Sequence, residues 1–323
     1  MQETSYTNFW RAKLKNALKL LISVGLLTVL FSNVDLLQFS NILRGIEPIF
    51  FLFALVIQLV LSVVQTERWR IILLAGKRRT RLVGAWLNVM IGLCFNQVLP
   101  SSVGGDAIRV YHAKSIGLGM ALQSILIDRL IALFTLSVLS LFICCIFYLD
   151  GVNQPYVELM LGLELLFIFV CVLLVFGAPI IGKISGMTAL NLNTLESFSD
   201  LLRTVVLVPK KLVLVLSMSF IIHFFVSISV MLLFVGVGVE TDLVTLGAIF
   251  ALVNLFSVIP ISFGGWGIRE GVAFALYPVS GVKIETALAV SILFGVVMII
   301  VGLIGGAAWL LSGDKVKELK NDE

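Results

Sequence analysis

A ten-residue pattern occurs twice in this chain and constrains its fold more than any other feature. Residues 100–109 read PSSVGGDAIR and residues 260–269 read PISFGGWGIR, an offset of 160 in a chain of 323 residues. Both copies share a proline, a serine, a Gly-Gly pair and an Ile-Arg pair. The chain therefore consists of two related halves, each with one Pro/Gly-broken segment. Such repeated halves are typical of membrane transporters in which broken helices meet near the bilayer midplane.

Composition places the chain in the membrane. Hydrophobic residues make up 59% of it and charged residues 13%, about half the charge of an ordinary soluble protein. We predict an all-α polytopic membrane protein with one membrane domain over 1–323, repeat one over about 1–150 and repeat two over about 151–323. The net charge of +4 gives no indication of nucleic-acid binding.

Eight apolar stretches approach the ~20 residues that a bilayer-spanning helix needs. They are residues 15–32, 48–66, 82–99, 120–148, 157–178, 211–237, 243–259 and 284–311. The first resembles a signal peptide, but no small-x-small cleavage site follows it, so we interpret it as a retained span. The stretches 82–99 and 243–259 run directly into the two copies of the repeat.

The positions of the basic residues distinguish two topologies. If all eight stretches cross, 13 basic residues lie inside and nine outside. If 82–118 and 243–279 are instead re-entrant hairpins, 19 lie inside and three outside, which fits the positive-inside rule much better. Each half is then three spans plus one broken hairpin, and the halves are inverted. We expect a multi-pass protein of the plasma (inner) membrane with both termini in the cytoplasm.

The hairpin tips are the first candidate site. Proline and paired glycines end a helix, and the helix that follows presents free N–H groups and a positive dipole end. Two such tips would form a cradle for an anionic headgroup; the alternative is that the glycines only allow close helix packing. The candidate binding residues here are Ser101, Ser102, Gly104, Gly105, Asp106, Ser262, Gly264 and Gly265.

Charged residues inside apolar stretches are the second set of candidates, because such residues are costly in a bilayer and usually face a cavity or a partner. They are Arg109, Asp128, Arg129, Arg269 and Glu270. Arg109 and Arg269 end the two repeats, and a guanidinium can donate two hydrogen bonds to a phosphate. In the alternative, the arginines only neutralise Asp128 or Glu270.

Three further segments have structural interpretations. Residues 67–70, Glu-Arg-Trp-Arg, are typical of an interfacial anchor. Polar residues just before the tips, such as Asn96 and Ser257, are expected to tie helices together by hydrogen bonds. Residues 186–207 have the pattern of an amphipathic helix, which would lie on the cytoplasmic membrane surface or pack on the protein as a connector.

No enzyme motif is present, and neither the four cysteines nor the two histidines have metal-ligand spacing. We therefore expect no catalytic residues, no metal and no other cofactor.

Three runs together resemble a known family: FNQVLPSSVGGDAIRVYHAKSIG, ALQSILIDRLIAL and SVIPISFGGWGIREG. They are similar to the membrane domain of lysylphosphatidylglycerol synthase/flippases, over essentially the whole chain. The resemblance implies translocation of a phospholipid or a lipid-linked headgroup. Because the chain stops at Glu323 without a soluble aminoacyl-transferase domain, lysyl transfer is not implied. Relatives linked to polyprenyl-glycan or hopanoid pathways leave the cargo open.

The leading hypothesis is therefore a flippase whose partners are membrane lipids and not nucleic acids. One rival is an integral-membrane transferase acting on polyprenyl-phosphate lipids, with Asp106 or Asp128 as its carboxylate. Another is a non-catalytic membrane partner of a separately encoded lipid-modifying enzyme.

Overall fold

The computed structural model describes most of the chain as helix. The described residues are 21, 23–99, 104–149, 158, 161–162, 164–166, 168–169, 192–239, 242–258, 262 and 264–312. Among them no strand occurs. The helices whose two ends are defined within the described ranges are α1 (Ser23–Ser32), α2 (Leu36–Arg44), α3 (Pro48–Ala75), α4 (Leu82–Val98), α5 (Gly104–His112), α6 (Leu118–Leu149), α7 (Leu192–Val206), α8 (Pro209–Gly236), α9 (Leu243–Ser257), α10 (Ile268–Leu276) and α11 (Ile284–Ser312).

Within the described ranges, four helices are long and apolar enough to cross a membrane, namely α3, α6, α8 and α11, with 28 to 32 residues each. The pair α1 and α2 would add a fifth span, although the chain bends by 102° between them. The bend coincides with Asp35, whose carboxylate accepts hydrogen bonds from the first N–H groups of α2 and so caps a new helix. The all-α polytopic membrane fold is thus confirmed.

The helices before the two repeats are shorter. The 17 residues of α4 and the 15 of α9 reach about 26 Å and about 22 Å at 1.5 Å per residue, less than the ~30 Å hydrocarbon core. After each break the chain doubles back. Gly105 of α5 lies against Gly92 of α4, and α10 packs against α9. This is the shape that a broken hairpin requires; the face from which each hairpin enters stays a prediction.

The described residues form two compact units that interleave along the chain. The first draws on Met1–Gln58, Met90–Ile108 and Ser227–Ala307. The second draws on Leu59–Val89, Arg109–Val226 and Ala308–Glu323. Each half of the sequence contributes to both units, and both hairpin tips fall in the first unit.

The first unit is held together by close helix packing and aromatic pairs. A methyl group built on Gly305 of α11 would lie 2.5 Å from the Met90 carbonyl oxygen of α4, so only glycine permits this approach. Phe250 of α9 meets Phe294 of α11 with ring centroids 4.9 Å apart. These contacts position the α9–α10 hairpin beside α4 and α11.

In the second unit, α7 packs on the protein. Leu202 and Val205 are buried in one apolar cluster with Ile72 of α3 and Ile127 of α6. The Gln123 amide also donates a 2.6 Å hydrogen bond to the Ser197 hydroxyl. Of the two interpretations of this amphipathic segment, the structure shows the packed connector.

Candidate functional site

The described residues that flank the two breaks come together at Asn96. The Gly105 N–H donates a 3.1 Å hydrogen bond to the Asn96 side-chain oxygen, which ties the start of α5 to α4. A methyl group built on Gly264 of the second tip would lie 3.3 Å from the Asn96 carbonyl oxygen. The expected tying role of Asn96 is therefore observed, and the residue borders both tips. Residues 100–103, which include the predicted binding residues Ser101 and Ser102, lie outside the described part of the chain.

The second tip depends on glycine backbones and one carboxylate. Gly264, Gly265 and Gly267 have φ angles of 58°, 83° and 89°, a region that side-chain-bearing residues rarely occupy. The Gly267 N–H donates a 2.7 Å hydrogen bond to Glu270 Oε2. Because this bond closes the first turn of α10, Glu270 fixes the exit of the chain from the tip.

A buried hydroxyl marks the same tip. Ser262 is only 1% exposed, and its Oγ atom has no hydrogen-bond partner within the described ranges. A buried polar group without a partner costs about 1–3 kcal/mol. Its position is therefore suited to a polar ligand group that supplies the missing bond.

Arg269 is engaged in a closed buried ion pair. Its Nη2 atom lies 2.6 Å and its Nε atom 2.9 Å from Glu270 Oε1. The guanidinium also stacks over Trp266, 4.9 Å from the ring centroid, and Nε donates a 3.2 Å hydrogen bond to the Ser291 hydroxyl. This is the neutralising arrangement that the sequence left open as the alternative; a phosphate would have to displace Glu270 to reach Arg269.

Arg109 has different surroundings in the second unit. It is 1% exposed, and its guanidinium carbon lies 5.0 Å from the centroid of the Trp69 ring. Asn88 makes two hydrogen bonds to Arg109. The Asn88 amide donates a 3.0 Å hydrogen bond to the Arg109 carbonyl, and Arg109 Nε donates a 3.4 Å hydrogen bond to Asn88 Oδ1. The aromatic face of Trp69 and the Asn88 amide orient the Arg109 guanidinium in apolar surroundings.

Asp128 pairs with Arg68 and not with either repeat arginine. Arg68 Nε lies 2.8 Å from Asp128 Oδ1, and Arg68 Nη1 donates a 2.7 Å hydrogen bond to the Ser219 hydroxyl. Trp69 is fully buried, and its indole donates to the Ser124 hydroxyl at 3.1 Å. The anchor interpretation of residues 67–70 is thus wrong for Arg68 and Trp69.

Three predicted residues remain to be placed. Gly104 and Asp106 lie in the first turn of α5, where Asp106 is buried. Arg129 is half-buried on α6, next in sequence to Asp128. Within the first unit, the structure brings Gly105 and Gly264 together at Asn96, and Ser262 lies two residues before Gly264. Arg109 and Asp128 lie in the second unit.

Comparisons with known proteins place this chain among membrane proteins. A family model described as the lysylphosphatidylglycerol synthase TM region matches residues 16–306. A UPF0104 membrane protein of Methanothermobacter thermautotrophicus is 23% identical, covering 96% of this chain and 99% of that protein. A UPF0104 membrane protein of Methanocaldococcus jannaschii is 22% identical, covering 86% of this chain and 89% of that protein.

Proposed function

The chain belongs to the lysylphosphatidylglycerol synthase transmembrane-region family, and on that premise we propose that it is a flippase. It moves the anionic headgroup of a phospholipid or of a polyprenyl-linked lipid across the inner membrane of the cell. The headgroup passes between the two broken hairpins.

The meeting of the tips at Asn96 supports this proposal most strongly. Both breaks belong to one compact unit, and irregular backbone at membrane depth is tolerated only where it is buried in protein or lines a watery cavity. The Ser262 hydroxyl offers a hydrogen bond there that no described residue uses. A headgroup oxygen would supply it.

Arg109 supports an anionic cargo. A guanidinium forks onto phosphate oxygens, and Trp69 and Asn88 hold this one in a fixed orientation. In this proposal Arg109 is a phosphate-binding residue. Arg269 takes that role only in a state in which Glu270 has released it.

An integral-membrane transferase is the second candidate, and the asymmetry of the tips is the observation that favours it. Asp106 is buried at the first tip, while the matching position of the second repeat is Trp266. A one-sided carboxylate would suit a catalytic base. This candidate predicts a chemically altered lipid, whereas a flippase returns the lipid intact.

One reconstitution experiment separates the two. The purified chain is placed in liposomes with a labelled phosphatidylglycerol or polyprenyl phosphate, and a membrane-impermeant reagent reports headgroup exposure over time. Mass spectrometry of the extracted lipid is run in parallel, with protein-free liposomes as the control. Faster exposure of intact lipid supports the flippase. A changed lipid mass supports the transferase. If lipid exposure and lipid mass both stay as in the protein-free control, both candidate functions are contradicted.

A further inference from the structure

A carboxyl group inside the second unit has no basic partner among the described residues. Glu164 is 3% exposed, and its Oε2 atom has no hydrogen-bond partner within the part of the chain that the structure describes. It lies in the predicted 157–178 span, where an ionised carboxylate is costly.

One face of α6 lies beside this carboxyl group. Ser137, Ser140 and Cys144 are spaced three and four residues apart, so they share a helix face. Electrostatic interactions join the Glu164 carboxyl to Ser137 and Cys144. The Ser140 hydroxyl is buried and, like Glu164 Oε2, makes no hydrogen bond to any described residue.

No basic side chain is available to neutralise Glu164 from its own segment or from this part of α6. The sequence holds no lysine, arginine or histidine between Arg129 and Lys183. On neighbouring elements, Arg68 of α3 is paired with Asp128 and Ser219. His223 of α8 donates its Nε2–H to the Ala132 carbonyl at 2.9 Å.

A carboxyl group in these surroundings is stable in its neutral form. An ionised group without a counter-charge costs several kcal/mol in an apolar interior, and such groups take up a proton instead. A protonated carboxyl has one O–H to donate. The Ser137 oxygen lies beside it as an acceptor, and Ser140 lies one turn further along the same face of α6.

We propose that Glu164, with Ser137 and Ser140, forms a proton-binding site in the membrane part of the chain, and that its loading and release drive lipid translocation. The second clause rests on the proposed flippase function, whereas the first does not. Glu164 would bind a proton when it faces the apolar interior and release it when the unit opens to water.

Carbodiimide labelling tests the proton site without any transport. Dicyclohexylcarbodiimide reacts with protonated carboxyl groups in apolar surroundings, so the purified full-length chain in lipid nanodiscs is treated with it over about pH 5 to 9, and the labelled peptides are measured by mass spectrometry. We expect Glu164 to be labelled at least ten times more than Asp128, whose carboxylate is paired with Arg68, and labelling to fall as the pH rises.

The matched variants are Glu164→Gln and Glu158→Gln, the latter an exposed glutamate earlier in the same predicted span. Glutamine resembles the protonated acid, so Glu164→Gln should fold, by gel filtration, and lose the label. Glu158→Gln should keep it. Glu164 labelling no greater than that of exposed Glu158, at every pH, would overturn the proton site.

Lipid movement under a pH gradient tests the coupling. The wild type should move lipid at rates that change severalfold with the gradient, while Glu164→Gln should be insensitive to it. Labelled Glu164 with gradient-independent lipid movement would overturn the coupling but leave the proton site. If no lipid moves under any condition, the proposed function fails, and the labelling alone decides the site.

Discussion

The two arginines at the ends of the repeat have different surroundings and therefore different expected roles. Arg109 is held by the Trp69 ring and the Asn88 amide. Arg269 shares a buried ion pair with Glu270. Two predictions at the scale of single residues follow from this contrast.

Arg109→Ala should reduce lipid movement in liposomes at least ~10-fold, because charge-assisted hydrogen bonds contribute about 1.5–3 kcal/mol. Arg109→Lys should restore it only in part, since an ammonium group lacks the bidentate fork. The exposed Arg44 gives the control, Arg44→Ala, which should behave like wild type. Normal transport by a well-expressed Arg109→Ala variant would remove the phosphate role.

Glu270→Gln should lower the free energy of unfolding by about 3–5 kcal/mol, because it leaves Arg269 buried without its counter-charge. The comparison variant is Glu67→Gln, which breaks a half-exposed pair with Arg70 and should cost about 0–1 kcal/mol. Unfolding by detergent titration measures both. Equal losses would show that the Arg269–Glu270 pair does not support the second tip.

At the scale of elements, the first hairpin depends on the closeness of α4 and α5. A methyl group on Gly105 would fall against the Gly92 carbonyl oxygen and the Asn96 side chain, and the backbone oxygen belongs to a helix that cannot easily move. Gly105→Ala should therefore destabilise the protein by about 1–3 kcal/mol, seen as a lower thermal unfolding midpoint. Gly271 of α10 has open space around it, so Gly271→Ala should leave the midpoint unchanged or raise it. A neutral Gly105→Ala would show that the hairpin is not tightly packed.

Helix positions could be predicted from the sequence, because the length of an apolar run is a local property. The predicted stretch 120–148 appears as α6, and 211–237 appears as α8. The ends of the two short helices before the repeats could be predicted from the proline and glycine residues that follow them. Helix α2 was not predicted, although Asp35 before Leu36 is a typical helix cap.

Side-chain partners could not be predicted in the same way, because they depend on tertiary packing. Arg68 and Asp128 are 60 residues apart in sequence, and so are too far apart for any local pattern to pair them. Asn88, which orients Arg109, lies in an apolar run and gave no signal beyond its polarity. The pairing of Arg269 with Glu270 was foreseeable as an alternative because the two residues are adjacent.

At the scale of the whole molecule, two hydrogen bonds support the division of the chain into two related halves. In the first unit the Gln58 amide of α3 donates a 2.8 Å hydrogen bond to the Ser229 hydroxyl of α8. In the second unit Arg68 of α3 donates to Ser219 of α8. At the repeat offset of 160, Gln58 corresponds to Met218 and Arg68 to Ile228, each one residue before the serine of the other bond. The two bonds therefore join nearly equivalent positions of α3 and α8. Halves related by a pseudo-twofold axis would produce such reciprocal contacts, and the inversion of the halves stays a prediction.

The inverted topology itself predicts which loops face the cytoplasm. Single cysteines at positions 114 and 183 should react with an impermeant thiol reagent only from the cytoplasmic side, and those at 150 and 240 only from outside. The 19-to-3 division of basic residues is the reason for this assignment. A cytoplasmic position for residue 150 would contradict the re-entrant hairpins.

Passage of the headgroup between the hairpin tips is the central claim, and modification of Ser262 tests it most directly. Ser262→Cys is made in a chain whose four native cysteines are replaced by alanine, with Val138→Cys on the exposed face of α6 as the control. After reconstitution, a charged methanethiosulfonate reagent is added and lipid movement is measured. We predict that movement stops in Ser262→Cys, recovers with dithiothreitol and is unaffected in Val138→Cys. Unchanged lipid movement after modification of residue 262, or failure of the reagent to reach that residue while lipid is moving, would contradict the account.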